Sequence, residues 1–203
     1  MDKQIISIFR KNKDIMKTSE LLNLGISKYE IQKFVEDGFL ERIKKGYYKL
    51  FNQDISDIGI VMKRLPNAVI CFDTALFYYG YSDRSPSHIH IAVNKDISKA
   101  RVKFDYPFVK AYFVEPFILD LGVDIIEMDD MKVKIYSRDR IICDCLKYEN
   151  KMEIELFNKA IMSYISDSKK NISKLMEYAK IRKVEKKVYD KIGMWLWKIN
   201  VIR

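Results

Sequence analysis

The chain has 203 residues, of which 48% are apolar, 32% charged and 13% aromatic, with seven Gly and four Pro. This is the composition of an ordinary globular protein and excludes disorder, collagen and low-complexity sequence. No stretch approaches the roughly 18 uninterrupted apolar residues of a membrane span, and Arg10-Lys11-Asn12-Lys13 interrupts any signal-peptide core. A cytoplasmic protein with no membrane partner is therefore expected. Three Cys, with Cys143 and Cys145 two apart and Cys71 distant, fit neither a disulfide framework nor C-x-x-C spacing, so reduced structural thiols are expected.

The formal net charge of +9 is unevenly placed. Residues 1–52 carry 11 basic against 7 acidic side chains, residues 53–148 carry 13 against 14, and residues 149–203 carry 13 against 7. Two basic ends around a near-neutral middle suit a polyanionic partner, which summed positive charge attracts. AT-biased coding, visible in the abundance of Lys, Ile, Asn and Tyr, supplies the same Lys without a functional demand.

In chain order, Ile5, Ile6 and Phe9 recur at helical spacing after a capping Asp2, predicting a first helix over about residues 2–12. A second helix is expected to start at Thr18, whose hydroxyl can cap it, with Glu20 in its first turn and Gly25 at its end. Ser27-Lys28-Tyr29-Glu30 is a capping box that opens a third helix, closed by Gly38. Two helices across a short Gly-containing turn make a helix-turn-helix, whose second helix enters the DNA major groove. At about 100° per residue, Ile31, Phe34 and Val35 face one way, and Lys28, Tyr29, Gln32, Lys33 and Glu36 face the other. Lys28, Tyr29 and Gln32 lie at the helix N-terminus, where base edges are read, while Lys17 and Lys33 suit phosphates.

Phe39 to Ile43 and Tyr47 to Leu50 are β-prone runs around Lys44-Lys45-Gly46, a hairpin with two ammonium groups at its tip. Such a wing can straddle the sugar-phosphate backbone. Residues 1–52 are thus expected to form a winged helix-turn-helix that binds double-stranded DNA through Lys17, Thr18, Ser27, Lys28, Tyr29, Gln32, Lys33, Lys44 and Lys45. A winged helix used for protein contact is the alternative.

Residues 53–203 are expected to form an α+β domain. Asp54 to Arg64 predicts a helix ended by Pro66, Asn67 to Ile70 a short strand, and Phe72 to Tyr79 an aromatic helix stopped by Gly80. His88 to Val93, Phe108 to Val114, Val123 to Met128 and Met131 to Tyr136 follow as strands, in a small, mixed, mostly antiparallel sheet. From Arg138 the pattern is helical: Arg138 to Tyr148, Met152 to Ser166, Ile172 to Arg182 and Val184 to Asn200, a helical bundle. In the last helix Lys183, Lys186, Lys187, Lys191 and Lys198 lie opposite Val184, Val188 and Ile192. That Lys face is either solvated or a second strip contacting DNA that flanks the recognition site, with Met194 and Trp197 beside it.

The constellations that could carry chemistry are sparse. His88 and His90 share a strand face without a third ligand in sequence, so packing or hydrogen bonding is expected, and no metal. Asp130-Met131-Lys132 could be half of a metal-dependent nuclease signature, but such triplets recur by chance in so charged a chain. Asp139, Arg140 and Asp144 sit at a helix start, where the acid favours the dipole and Arg140 with Asp144 makes an i, i+4 pair. No phosphate-binding loop, nucleophile elbow or zinc-protease helix occurs. Neither catalysis nor a cofactor is expected.

Four segments carry a resemblance to a known family. Leu40-Glu41-Arg42-Ile43-Lys44-Lys45-Gly46-Tyr47-Tyr48 resembles the L-x-R-x-x-x-G-x-Y wing of the AbiEi family, and Thr74-Ala75-Leu76 with Gly80 resembles its S/T-A-L-x-x-x-G element. Ile89 to Val93 is similar to the family's strand, and Asp139-Arg140-Ile141-Ile142-Cys143-Asp144 to its E-R-T-L-x-D helix start. Together they cover about residues 1–150. The chain departs from the family where Phe72-Asp73 replaces Ser-His and Ile141 replaces Thr. The resemblance implies an antitoxin of a type IV toxin-antitoxin system, linked to abortive phage infection. Such a protein represses its own operon at inverted repeats, whose two-fold symmetry suits a dimer on DNA. It counters a nucleotidyltransferase toxin without binding it. The alternatives carried forward are a metal-dependent nuclease with a winged-helix reader, and an antitoxin that acts by direct protein contact.

Overall fold

The computed structural model describes residues 3–11, 15–51, 56–128, 131–193 and 195. The chain is α+β and divides into two compact units, Met1–Arg64 and Leu65–Arg203.

The first unit runs α1 (Lys3–Lys11), β1 (Ile15–Lys17), α2 (Thr18–Asn23), α3 (Lys28–Glu36), β2 (Leu40–Lys44), β3 (Tyr47–Leu50) and α4 (Asp57–Arg64). Its sheet has the order β1-β3-β2, antiparallel throughout. Strand β1 is too short to announce itself in sequence. It exists because Met16 drops into the core and Ile15, Met16 and Lys17 pair with Lys49, Tyr48 and Tyr47. One apolar cluster gathers Ile5, Phe9, Met16, Leu21, Ile31 and Leu40, with Phe34, Val35, Tyr48 and Leu50 packed against it. Every element from α1 to β3 thus contributes to one small core, the arrangement a unit of this size needs.

The second unit holds β4 (Val69–Ile70), α5 (Phe72–Tyr78), β5 (Ile89–Asn94), β6 (Val109–Val114), α6 (Pro116–Leu119), β7 (Val123–Met128) and β8 (Met131–Tyr136). It continues as α7 (Arg138–Lys147), a single 3-10 turn (Glu149–Lys151), α8 (Ile154–Ser166), α9 (Ile172–Arg182), α10 (Glu185–Val188) and a π-helical turn (Tyr189–Gly193). The sheet order is β6-β5-β4-β8-β7. The expectation of a mostly antiparallel sheet is corrected here: β4–β5 and β7–β8 are antiparallel, but β5–β6 and β4–β8 are parallel. A parallel return needs a dozen residues or more of connection, and residues 95–108 between β5 and β6 supply it. Ile89 to Val93 are all buried, as in a strand covered on both faces.

Helix α7 is the spine of this unit, packed against α5, α8, α9 and α10, and Asp139 through Leu146 are all buried. Both of its carboxylates are paired internally. Asp139 accepts from the Tyr164 hydroxyl and the Asn171 N–H, both at 2.8 Å. Asp144 accepts from Arg182 through Nη2 at 2.6 Å and Nε at 2.9 Å, and lies 3.3 Å from Arg140 Nη2.

Candidate nucleic-acid interface

Helix α3 begins where it does because of its cap. The Ser27 hydroxyl accepts the Glu30 N–H at 3.2 Å, and the Glu30 carboxylate accepts the Ser27 N–H at 2.8 Å and its O–H at 2.7 Å. These bonds, the side-chain one foremost, hold the Glu30 carboxyl below the ordinary carboxylate range. Gly38, at φ +72°, closes the helix in a conformation that L side chains rarely adopt. With both ends set, Ile31 is buried, Phe34 and Val35 are half-buried, and Lys28, Tyr29, Gln32, Lys33 and Glu36 are exposed. Tyr29 is 76% exposed, far more than packing would leave an aromatic ring.

One contact on this arc escaped sequence reasoning. Gln32 Nε2 donates to Glu36 Oε1 at 2.9 Å, which engages one amide proton and leaves the other and the carbonyl oxygen free to pair. An i, i+4 spacing was the available signal.

The β2–β3 hairpin turns at Lys45-Gly46, where Gly46 has φ +82°. Lys45 is exposed, and Lys44 is the last residue of β2, opposite Tyr47 past a register shift that follows Arg42. Across the strands Lys49 and Glu41 pair at 3.1 Å.

Lys17 and Thr18, predicted from a different stretch of sequence, come to this turn. The Thr18 N–H donates to the Gly46 carbonyl at 2.9 Å, Lys17 is in register with Tyr47, and Lys17 Nζ lies 5.9 Å from the Tyr47 ring centroid. The expectation that Thr18 caps α2 is corrected: Thr18 is the first residue inside the helix and Lys17 occupies the cap position. The Glu20 carboxylate takes the Lys17 N–H at 2.7 Å in its place.

The C-terminal lysines divide into two pairs. Lys183 ends α9 with φ 59° and is exposed, as is Lys186. Lys187 donates to the Leu146 carbonyl at 2.7 Å and lies 3.3 Å from Glu149, while Lys191 meets Glu149 at 2.9 Å. Glu149 is held below its ordinary range, chiefly by its bond to Lys191, with burial opposing and Lys187 adding to the lowering. Lys187 and Lys191 therefore fasten α10 and the π-helical turn to the end of α7. Lys198, Met194 and Trp197 lie outside the described residues.

The other candidate residues scatter. His88 is exposed just before β5, and His90 is buried, its Nδ1 3.3 Å from the Tyr112 hydroxyl and 3.8 Å from Asp73. Asp130 lies outside the described residues. Among the described residues no group of three or more His, Cys, Asp or Glu is placed to hold a metal ion. All three Cys are buried, and burial pushes the Cys143 thiol up to about 12 and raises Cys71 and Cys145 as well, the opposite of what a nucleophile needs. No described helix is long and apolar enough to cross a membrane. No protein-family model matches the chain, and no curated protein matches it.

Proposed function

We propose that the first unit is a winged helix-turn-helix that binds double-stranded DNA, with α3 as recognition helix and the β2–β3 hairpin as wing. One observation carries this: a capped helix whose outer arc of Lys28, Tyr29, Gln32 and Lys33 is exposed is followed directly by a hairpin with Lys45 exposed at its turn. Lys28, Tyr29 and Gln32 read base edges, and Lys17, Lys33, Lys44 and Lys45 hold phosphates, fixing register without sequence information. The second unit, ending in a helical bundle, serves the antitoxin role that the AbiEi resemblance implies. The protein acts by occupancy rather than chemistry, repressing its own operon at inverted repeats and countering a nucleotidyltransferase toxin without direct contact.

The test is an electrophoretic mobility shift with a fragment from upstream of the gene, repeated across salt concentrations. About five neutralised phosphates per protomer give a slope of about −4 to −5 in log affinity against log salt. Failure to shift that fragment, or an affinity indifferent to salt, overturns the proposal. Plasmid nicking in Mg²⁺ would instead favour a nuclease, and co-purification with a neighbouring toxin would favour direct neutralisation.

A further inference from the structure

A cavity of about 640 Å³ opens in the second unit, among residues from β5, β6 and the helices α5, α7 and α9. Its size is that of a small-molecule site. Three features of its wall point to one kind of occupant.

The first is the charge of its floor. Arg140 and Arg182 are 1% and 5% exposed, and both meet the single carboxylate of Asp144. Asp139, the other buried acid of α7, is turned to Tyr164 and Asn171 and does not line the cavity. Among the described residues the two buried guanidinium groups thus share one carboxylate, which leaves the pair net positive, a costly state in the interior. Arg140 Nε and the hydroxyl of Tyr136, whose ring lies 4.3 Å from the guanidinium carbon, are buried and have no hydrogen-bond partner among the described residues. Over the whole lining, five cationic side chains stand against three anionic ones, and because Arg84 is held by Glu155 as well as by Glu153, a surplus of one positive charge remains to favour an anion such as a phosphate monoester.

The second is the wall. Phe72 packs on Tyr112 with ring centroids 4.4 Å apart and on Tyr148 at 5.5 Å. Phe72 holds φ 41° at the first residue of α5, a left-handed conformation that a bulky residue keeps only where its surroundings demand it. The strain places an aromatic ring at the cavity wall. The third is the rim: Lys110 Nζ stands 5.7 Å from the Tyr112 ring and Lys151 Nζ 5.7 Å from that of Tyr148, and both lysines are exposed.

An aromatic wall beside a cationic floor and rim suits a flat ring joined to a phosphate. We propose that this cavity binds a nucleoside monophosphate, its base against Phe72, Tyr112 and Tyr148 and its phosphate toward Arg182, Lys110 and Lys151.

The full-length protein is titrated by isothermal calorimetry and thermal shift with each of the four ribonucleoside 5′-monophosphates, the matching nucleosides and inorganic phosphate. At least one monophosphate is expected to bind with a micromolar Kd and to raise Tm, with its nucleoside and inorganic phosphate each at least tenfold weaker. Lys110→Glu and Lys151→Glu, at exposed positions that leave the fold alone, are expected to weaken that binding at least tenfold. The proposal is overturned if no monophosphate gives heat or a Tm shift, if phosphate alone binds as tightly as the nucleotide, or if both rim variants bind unchanged.

Discussion

Arg182 and Asp144, 38 positions apart in sequence, meet through two short hydrogen bonds with both side chains almost wholly out of solvent. Among the described residues, Asp144 is also the one carboxylate that Arg140 meets. Asp144→Ala therefore leaves two buried guanidinium groups without an anion, and a loss of about 3–5 kcal/mol is expected. Urea denaturation followed by circular dichroism reads it. A loss below about 1 kcal/mol would mean that the pair is not what holds α9 to α7.

The capping box of α3 gives a smaller and local effect. Ser27→Ala removes the bond to the Glu30 N–H and is expected to destabilise by about 1 kcal/mol. Because Glu30 is held below its ordinary range in the fold, its contribution is present above the unfolded pKa and is lost as pH falls through the folded one. Hydrogen exchange at the first turn of α3 should accelerate in that acid range in the parent protein, and Ser27→Ala should already exchange fast at neutral pH.

Gly122 has φ +67°, and a Cβ built there would lie 2.8 Å from Arg140 Cβ and 3.0 Å from Tyr178 Cε2. Gly122→Ala combines a disfavoured backbone with a clash against α7, so destabilisation by more than about 1 kcal/mol is expected. An unchanged midpoint in urea would contradict the close packing of the turn before β7 on α7.

His90 supplies a pH dependence in a different window. Its burial lowers its pKa, with Asp73 opposing and Lys110 and His88 reinforcing the shift. The unfolded chain then binds the proton more readily than the fold does. Stability is full above the ordinary value of 6.5 and falls as pH drops below it, until the folded pKa is passed. Unfolding free energy measured at neutral pH and near pH 5.5 should show the drop, and His90→Gln should shrink it. Asp167 does not blur this window. Burial alone would raise it, but the Tyr81 hydroxyl, the Lys169 N–H and Arg138 together hold it below its ordinary 3.8, so it changes charge only at lower pH.

On DNA, the two classes of side chain should separate. Gln32→Ala is expected to weaken the preferred site by about 1–3 kcal/mol and to relax preference at one base pair, whereas Lys45→Ala should weaken all sequences alike and flatten the salt slope by about one. Binding selections on randomised sites distinguish the two. If both variants lower affinity uniformly, base reading is not the work of Gln32.

What could be seen in advance follows from how local each signal is. The Ser27-to-Glu30 spacing announced α3, and the run from Ile172 to Arg182 announced α9 to the residue, because caps and helical periodicity are written within a few positions. Strand β1 was invisible, since three residues with one buried side chain become a strand only through pairing with β3. The parallel pairings were missed for the same reason, being set by which distant strand lies alongside. In the candidate interface the exposed arc of α3 was legible from angle alone, while the meeting of Thr18 with Gly46 was not. Likewise the i, i+4 pair Arg140–Asp144 was readable, but the Arg182 that completes it comes from another helix.

The central place of β3 in its sheet has a mechanical meaning. A lone two-stranded ribbon is marginal in water, but β3 is bonded along both edges, and its turn is also tied to the start of α2. Conformational freedom at Lys45-Gly46 is therefore surrendered during folding, not on docking. Whatever grips that tip meets a stiff prong, and the association should carry the small heat-capacity change of rigid surfaces meeting rather than the large one of a loop that orders as it binds.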